Sequence, residues 1–183
     1  MVRFERIKRY ENDESIHLPT RATSYSAGYD FEVAEDTVIP PYMRHFGSML
    51  SLVEDEDSVE NDLTLNEVAN LTKKAKARPT LVPTGIKCKM EPDMYLELTV
   101  RSSSPLKHWL VLANGEGIID SDYYSNSAND GHIYFQIINF SPYFIKLQKG
   151  EKIGQGIIKR YLTSDEEIAP SAGRSGGLGS TSE

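Results

Sequence analysis

The residues best suited to chemistry fall in a few short patches. The richest is Asn114-Gly-Glu-Gly117-Ile118-Ile119-Asp120-Ser-Asp122-Tyr123. Gly117 permits a close backbone approach. Ile118 and Ile119 make a short apolar strand that delivers Asp120 beside a second carboxylate, Asp122. Two near carboxylates can separate their pKa values, or one can act as a base while the other positions it. The same Asp-x-Asp pattern also ends strands as a solvated turn, so the patch alone leaves both options open. Val100-Arg101-Ser102-Ser103-Ser104 suits a phosphate, since a guanidinium fork and small hydroxyls supply converging donors. A surface turn with a solvated Arg reads the same way. In Lys149-Gly150-Glu151-Lys152-Ile153-Gly154-Gln155, the polar Gln155 interrupts an apolar strand. A buried Gln needs partners, so it points into a site or is satisfied within the fold. Ala27-Gly-Tyr-Asp30 places an acid after a small-residue turn. That acid is either an exposed loop Asp or a contact, through water, to a Mg2+ ion that needs only one or two carboxylates beside phosphates.

These patches need a scaffold, and the sequence reads as short strands separated by turns. Leu96, Leu98 and Val100 alternate with Tyr95, Glu97 and Thr99. Residues 133–140 make another strand, rich in β-branched and aromatic side chains. Pro40-Pro41, Pro83-Thr84-Gly85 and Lys149-Gly150 punctuate the rest. Many short strands without alternating helices predict an all-β sandwich, jelly roll or barrel.

Two segments depart from that pattern. Residues 53–78 open with the acidic run Glu54-Asp55-Glu56-Asp57 and then change to a helical signal over 64–77. Thr64 and Glu67 have capping-box spacing, and Leu65, Val68, Ala69 and Thr72 share one helical face. Lys73, Lys74 and Lys76 sit near the C-terminal end, where the helix dipole favours cations, before Arg78-Pro79 closes the segment. The insert is either a solvated excursion over a sheet edge or a docking surface or lid. The second departure is Ser171-Ala-Gly-Arg174-Ser-Gly176-Gly177-Leu178-Gly-Ser180-Thr181. It has too little apolar mass to fold alone. It is a disordered tail, or an arm that orders over a phosphate through exposed backbone N–H groups. The expected organisation is one β domain, 1–170, carrying the insert, followed by a glycine-rich arm, 171–183.

Bulk properties narrow the function classes. The chain has 183 residues, enough for one domain with its own core. Cys88 is the only cysteine, so no internal disulfide forms. Net charge is −7, which disfavours a nucleic-acid partner while allowing a small polyphosphate. The charged start, Met1-Val-Arg-Phe-Glu-Arg-Ile-Lys, has no apolar leader, and no apolar run approaches a membrane span. The expectation is a soluble cytoplasmic protein that binds no membrane.

In order along the chain, these patches resemble the five motifs of the homotrimeric dUTPase (deoxyuridine 5'-triphosphate nucleotidohydrolase) family. Ala27-Gly-Tyr-Asp30 resembles the first and Arg101-Ser-Ser the second. Asn114 to Tyr123, with its Gly-x-Ile-Asp-x-Asp-Tyr core, resembles the third. Gly150-Glu-Lys-Ile-Gly-Gln155 resembles the fourth, and Gly176-Gly-Leu-Gly-Ser-Thr181 the fifth. The resemblance runs from about Leu18 to Thr181. The inserted helix and the Asn129-Asp-Gly-His132 extension look like the variant of Gram-positive bacteria and their phages.

The resemblance implies a jelly-roll-like β domain assembled as a homotrimer, with each site shared between subunits and closed by an arm. It implies hydrolysis of dUTP to dUMP and pyrophosphate, which lowers dUTP and supplies dUMP for thymidylate synthesis. Water attacks the α-phosphorus, with Mg2+ clamping the phosphates. By position Asp120 resembles the general base. Asn114, Gly117 and the backbone at Ile118, Ile119 and Asp120 resemble the uracil reader. Tyr123 resembles the residue that packs under the deoxyribose and leaves no room for a 2′-hydroxyl. Arg101, Ser102, Ser103 and Gln155 resemble phosphate contacts, and Asp30 the acid that holds Mg2+ through its waters. Arg174, Gly176, Gly177, Leu178, Ser180 and Thr181 come with the arm. The chain departs from the family pattern in three places. Ser103 stands where many relatives have Gly, Arg174 is one residue closer to the Gly-Gly pair, and Leu178 replaces a base-stacking Phe.

Two rival functions remain. dCTP deaminase shares the fold and an Arg-Ser-Ser segment, but it uses a Glu in the strand ending in Asn. Gln136 holds that place in Phe135-Gln136-Ile137-Ile138-Asn139 and cannot act as acid or base. The other rival is a regulatory protein that keeps the fold and grips a partner through the helical insert.

Overall fold

The structure, a computed structural model, describes residues 1–52 and 63–166. The acidic run at 54–57 and the whole glycine-rich arm lie outside the described residues.

The described residues form twelve strands: β1 Arg3–Arg6, β2 Thr20–Arg21, β3 Tyr29–Glu32, β4 Thr37–Ile39, β5 Thr80–Pro83, β6 Ile86–Lys89, β7 Met94–Val100, β8 Leu110–Leu112, β9 Gly117–Asp120, β10 Tyr134–Asn139, β11 Ile145–Leu147 and β12 Lys152–Arg160. The largest sheet has the order β2-β3-β12-β7-β9, and a second has the order β5-β10-β8. The pairs β1-β6 and β11-β4 complete a jelly-roll-like all-β fold without a closed barrel. Every named ladder is antiparallel.

The two larger sheets face each other across one apolar core. Phe31 of β3 meets Phe135 of β10 with ring centroids 5.8 Å apart, and both rings are fully buried. Leu96 and Leu98 of β7 and Ile137 of β10 fill the space beside them. Burying each such side chain is worth about 1.5–3 kcal/mol. The period-two expectation for 95–100 holds for Leu96 and Leu98. Glu97 is buried as well, because Lys159 Nζ donates to its carboxylate at 2.6 Å. In β10, Phe135, Ile137 and Asn139 face the core, so Tyr134 and Gln136 point the other way.

The helical excursion is larger than expected. It begins directly after Pro41 with α1, Tyr42–Leu50, and continues with α2, Leu65–Ala75. The capping box on α2 forms as its spacing predicts: Thr64 Oγ1 accepts from the Glu67 N–H, and the Glu67 carboxylate accepts from the Thr64 N–H. Lys76, in left-handed backbone, ends the helix two residues before Arg78-Pro79. Neither helix buries a residue fully. Of the shared face Leu65, Val68, Ala69 and Thr72, only Thr72 is half-buried, together with Leu71 and Ala75, and the other three are exposed. A third, short helix, α3 Ser103–His108, follows β7.

Candidate active site

The β8–β9 hairpin and the short helical turn after it build a cleft of about 210 Å3. Asn114, Gly117, Ile118, Ile119, Asp120 and Tyr123 all line it, joined by Leu98, Leu112, Tyr134 and Gln136. Gly117 lies directly over Leu98, and a Cβ there would come within 3.1 Å of the Leu98 Cβ. The close approach therefore lets backbone, not side chain, form the wall. Asp120 ends β9 half-buried, and Asp122 stands exposed two residues on. Tyr123 is 5 % exposed, and its hydroxyl donates to the His132 carbonyl at 2.9 Å.

A second cluster gathers at the far end of the same sheet. Strand β12 lies between β3 and β7, which sets Gln155 opposite both Asp30 and Thr99. The Gln155 side chain folds over Gly28, where any Cβ would sit 2.3 Å from Gln155 Oε1. Asp30 is buried, with Lys152 Nζ 2.7 Å from one carboxylate oxygen and Arg101 Nε 3.9 Å from the other. Arg101, Ser103 and Lys152 line an adjoining groove of about 450 Å3, and Ser102 is exposed at its edge. This cationic shelf suits phosphate oxygens.

Lys152 was quoted in the sequence without a role. Strict alternation from Gln155 would put it on the opposite face. A register shift between Lys152 and Gly154 returns it to the Asp30 side. A bulge carries no residue signature strong enough to have been read beforehand. His132 also gained no role from sequence. It is buried, and its Nε2 accepts from the Gly85 N–H at 2.8 Å.

Among the described residues, no group of three or more His, Cys, Asp or Glu is placed to hold a metal. The donor set fits Mg2+ only in the way expected of it. Asp30 is one hard carboxylate already compensated by Lys152 and Arg101, which suits contact through water and not direct ligation.

Gly117 and Gln155 pair with neighbouring residues of β7, Leu98 and Thr99, but Asp120 and Arg101 stand apart. Asp120 is registered against Tyr95, whereas Arg101 follows Val100 at the other end of β7. Six residues of strand separate them by roughly 20 Å. Arg174, Gly176, Gly177, Leu178, Ser180 and Thr181 lie outside the described residues.

A cleft ending in a carboxylate and a cationic shelf, carried on a jelly-roll-like sheet, suit a β-domain enzyme that acts on a nucleotide. Comparison with known proteins gives the particular kind. The chain belongs to the dUTPase family, whose model matches residues 55–182. The deoxyuridine 5'-triphosphate nucleotidohydrolase of Lactococcus lactis subsp. lactis is 34% identical over 179 residues, covering 97% of this chain and 95% of that protein. The crystal structure of dUTPase from Streptococcus mutans has a TM-score of 0.66 at 35% identity, covering 88% of this chain and 98% of its own. The dUTPase from phage phi11 of S. aureus shares the fold at 16% identity, with a TM-score of 0.59 over 94% of this chain and 97% of its own.

Proposed function

We propose that the chain hydrolyses dUTP to dUMP and pyrophosphate, lowering dUTP and supplying dUMP for thymidylate synthesis. The observation that carries this is the β8–β9 cleft, where the residues expected to read uracil and deoxyribose surround the carboxylate expected to activate water.

Asn114 and the β9 backbone bind uracil by fixed donors and acceptors, and Gly117 leaves no side chain to block the base. A site of fixed hydrogen-bonding groups rejects the cytosine pattern by roughly 10⁴ or more. Tyr123 packs under the deoxyribose. Asp120 takes the proton of the attacking water, and Arg101, Ser102, Ser103, Lys152 and Gln155 hold the phosphates. When bound, Mg2+ supplies charge neutralisation across the phosphates and fixes their path, with Asp30 contacting its waters. Negative charge spreads over phosphate oxygens in the transition state, so most of the catalysis is positioning and electrostatics.

The separation of Asp120 from Arg101 supports a site completed by another copy of the chain, and we assign the assembly as a homotrimer. The arm, with Arg174, Gly176, Gly177, Leu178, Ser180 and Thr181, closes the site, and Leu178 excludes water there without an aromatic face. Among the described residues no helix is long and apolar enough to cross a membrane. We assign the working place to the cytoplasm.

The deaminase alternative lacks its acid. Gln136 lines the cleft where that chemistry needs a carboxylate. A regulatory role through the insert has one observation in its favour, since Met43, Phe46, Leu65 and Val68 stand exposed on its helices. Pull-down with and without residues 54–77 tests it. For the main activity, pyrophosphate release is measured from dUTP, dTTP, dCTP and UTP side by side, with and without Mg2+. Release from dUTP alone, dependent on Mg2+, supports the assignment. Equal release from dTTP or UTP, or ammonia from dCTP, overturns it.

A further inference from the structure

Tyr123 is held from behind by a loop that the motif pattern leaves unexplained. Residues 125–131 turn tightly, with Ser125, Asp130 and Gly131 all in left-handed backbone. A Cβ at Gly131 would lie 2.7 Å from the Ser125 nitrogen and 2.8 Å from the Tyr123 carbonyl oxygen, so only glycine closes the turn. The loop is tied down at both carboxylate oxygens of Asp130. Lys87 Nζ donates to one at 3.0 Å, and the Lys8 N–H donates to the other at 2.7 Å.

Asn129 sits at the centre of this loop, and its partners fix its orientation. Its Oδ1 accepts from Asn126 Nδ2 at 2.8 Å and from the Gly131 N–H at 3.1 Å. Its Nδ2 must then face the other way, and it donates to the Tyr123 hydroxyl oxygen at 2.6 Å. The phenol proton is left for the His132 carbonyl at 2.9 Å. Both bonds end on the same oxygen, at the far end of a ring that lines the cleft. A planar side chain anchored at its Cα and again at its para oxygen cannot tip.

We propose that Asn129 is a positioning residue for sugar discrimination: by holding the Tyr123 phenol, it keeps the ring close enough to the sugar to exclude a 2′-hydroxyl. This rests on the assignment of Tyr123 as the deoxyribose platform. The rejection of a slightly larger substrate is steric, and a ring free to retreat by a fraction of an ångström loses it. The residue is absent from the dUTPase-like motifs themselves, since it lies in the extension after Tyr124.

The test is the ratio of kcat/KM for dUTP to kcat/KM for UTP, measured on the wild type and five variants of the full chain. Asn129→Ala and Tyr123→Phe should each lower that ratio about five- to tenfold, the order expected for one lost hydrogen bond to the platform. Together they should lower it no further than Tyr123→Phe does alone, because Asn129 acts through the phenol oxygen. A residue that merely stabilised the loop would give additive effects, and additivity overturns the proposal. Asn129→Asp keeps the two bonds within the loop but turns the third into an acceptor, which draws the phenol proton away from His132. It should lower the ratio too, and it carries the test if the alanine variant fails to fold. Tyr123→Ala separates the two levels. If it destroys discrimination while both Asn129 variants leave it intact, only the role of Asn129 fails. If Tyr123→Ala leaves discrimination intact, the assignment of Tyr123 fails and the proposal goes with it.

Discussion

Asp120 and Arg101 lie at opposite ends of one strand pair: Asp120 is registered against Tyr95 near the start of β7, and Arg101 follows its last residue, Val100. The carboxylate proposed to activate water and the arginine proposed to hold phosphate therefore lie at opposite ends of β7, while Gly117 and Gln155 pair with its neighbouring residues Leu98 and Thr99. On the proposed assembly, a site that uses both Asp120 and Arg101 takes them from different copies.

Replacing the proposed proton acceptor tests the chemistry without disturbing the cleft. Asp120→Asn preserves shape and is expected to leave binding of a non-hydrolysable dUTP analogue within a few-fold, while turnover falls by at least ~10²–10⁴. Calorimetry and single-turnover hydrolysis measure the two separately. Hydrolysis near the normal rate would show that another group takes the proton.

The phosphate shelf predicts a metal effect. Asp30→Asn removes the one buried carboxylate of the cluster and leaves Lys152 and Arg101 uncompensated. Mg2+ should then be needed at a several-fold higher concentration for half-maximal turnover. The Mg2+-dependent gain in analogue affinity, read by calorimetry, should shrink in parallel. Unchanged Mg2+ dependence in both measurements would remove Asp30 from the metal's surroundings.

His132 gives the fold a pH dependence. Burial above all, with Arg9 adding to it, pushes its imidazole down to about 4, against the opposing pull of Glu35 and Asp130. An unfolded histidine titrates near 6.5. Between these values the unfolded chain takes up a proton that the folded chain refuses, so stability is full above about pH 6.5 and falls as pH drops toward 4. At pH 5 the loss from this group is roughly 2 kcal/mol relative to pH 7.5. His132→Gln should flatten that part of the profile in urea unfolding, because glutamine can accept from the Gly85 N–H but does not titrate. An equally steep profile in the variant would place the proton uptake elsewhere.

A packing prediction concerns Gly154, next to Gln155. A Cβ there would lie 2.1 Å from Phe135 Cε1 and 2.7 Å from its Cζ. The ring is fully buried, so it cannot step aside. Gly154→Ala should destabilise by about 1–3 kcal/mol in denaturant titration, and adding Phe135→Leu should recover part of that loss. A neutral alanine would show that Phe135 can yield to the added methyl group.

Much of this was legible in the sequence because it depends on local rules. Alternation marked Leu96 and Leu98, capping-box spacing marked the start of α2, and a glycine before an apolar pair marked β9 and its terminal Asp120. The rest depends on tertiary context. α1 opens after Pro40-Pro41 without a polar N-cap, so nothing local announces it. The stripe Leu65, Val68, Ala69 and Thr72 has helical spacing, but only Thr72 of it is half-buried, beside Leu71 and Ala75. The Lys152–Asp30 pair requires a bulge, and the Asn129–Tyr123 bond requires a loop closed by residues far apart in the chain. The order of the motifs could be read, but the separation of Asp120 from Arg101 along β7 could not, because it follows from strand register.

Mixed oligomers test the central claim most directly. Asp120→Asn and Arg101→Ala chains are purified separately, shown to be inactive alone, and then refolded together, with mixing confirmed by native mass spectrometry. If each site takes its base from one copy and its arginine from another, random mixing restores about a quarter of the sites. dUTP hydrolysis at that level is the predicted result. Mixed oligomers that form fully yet stay as inactive as either parent would contradict a site shared between chains.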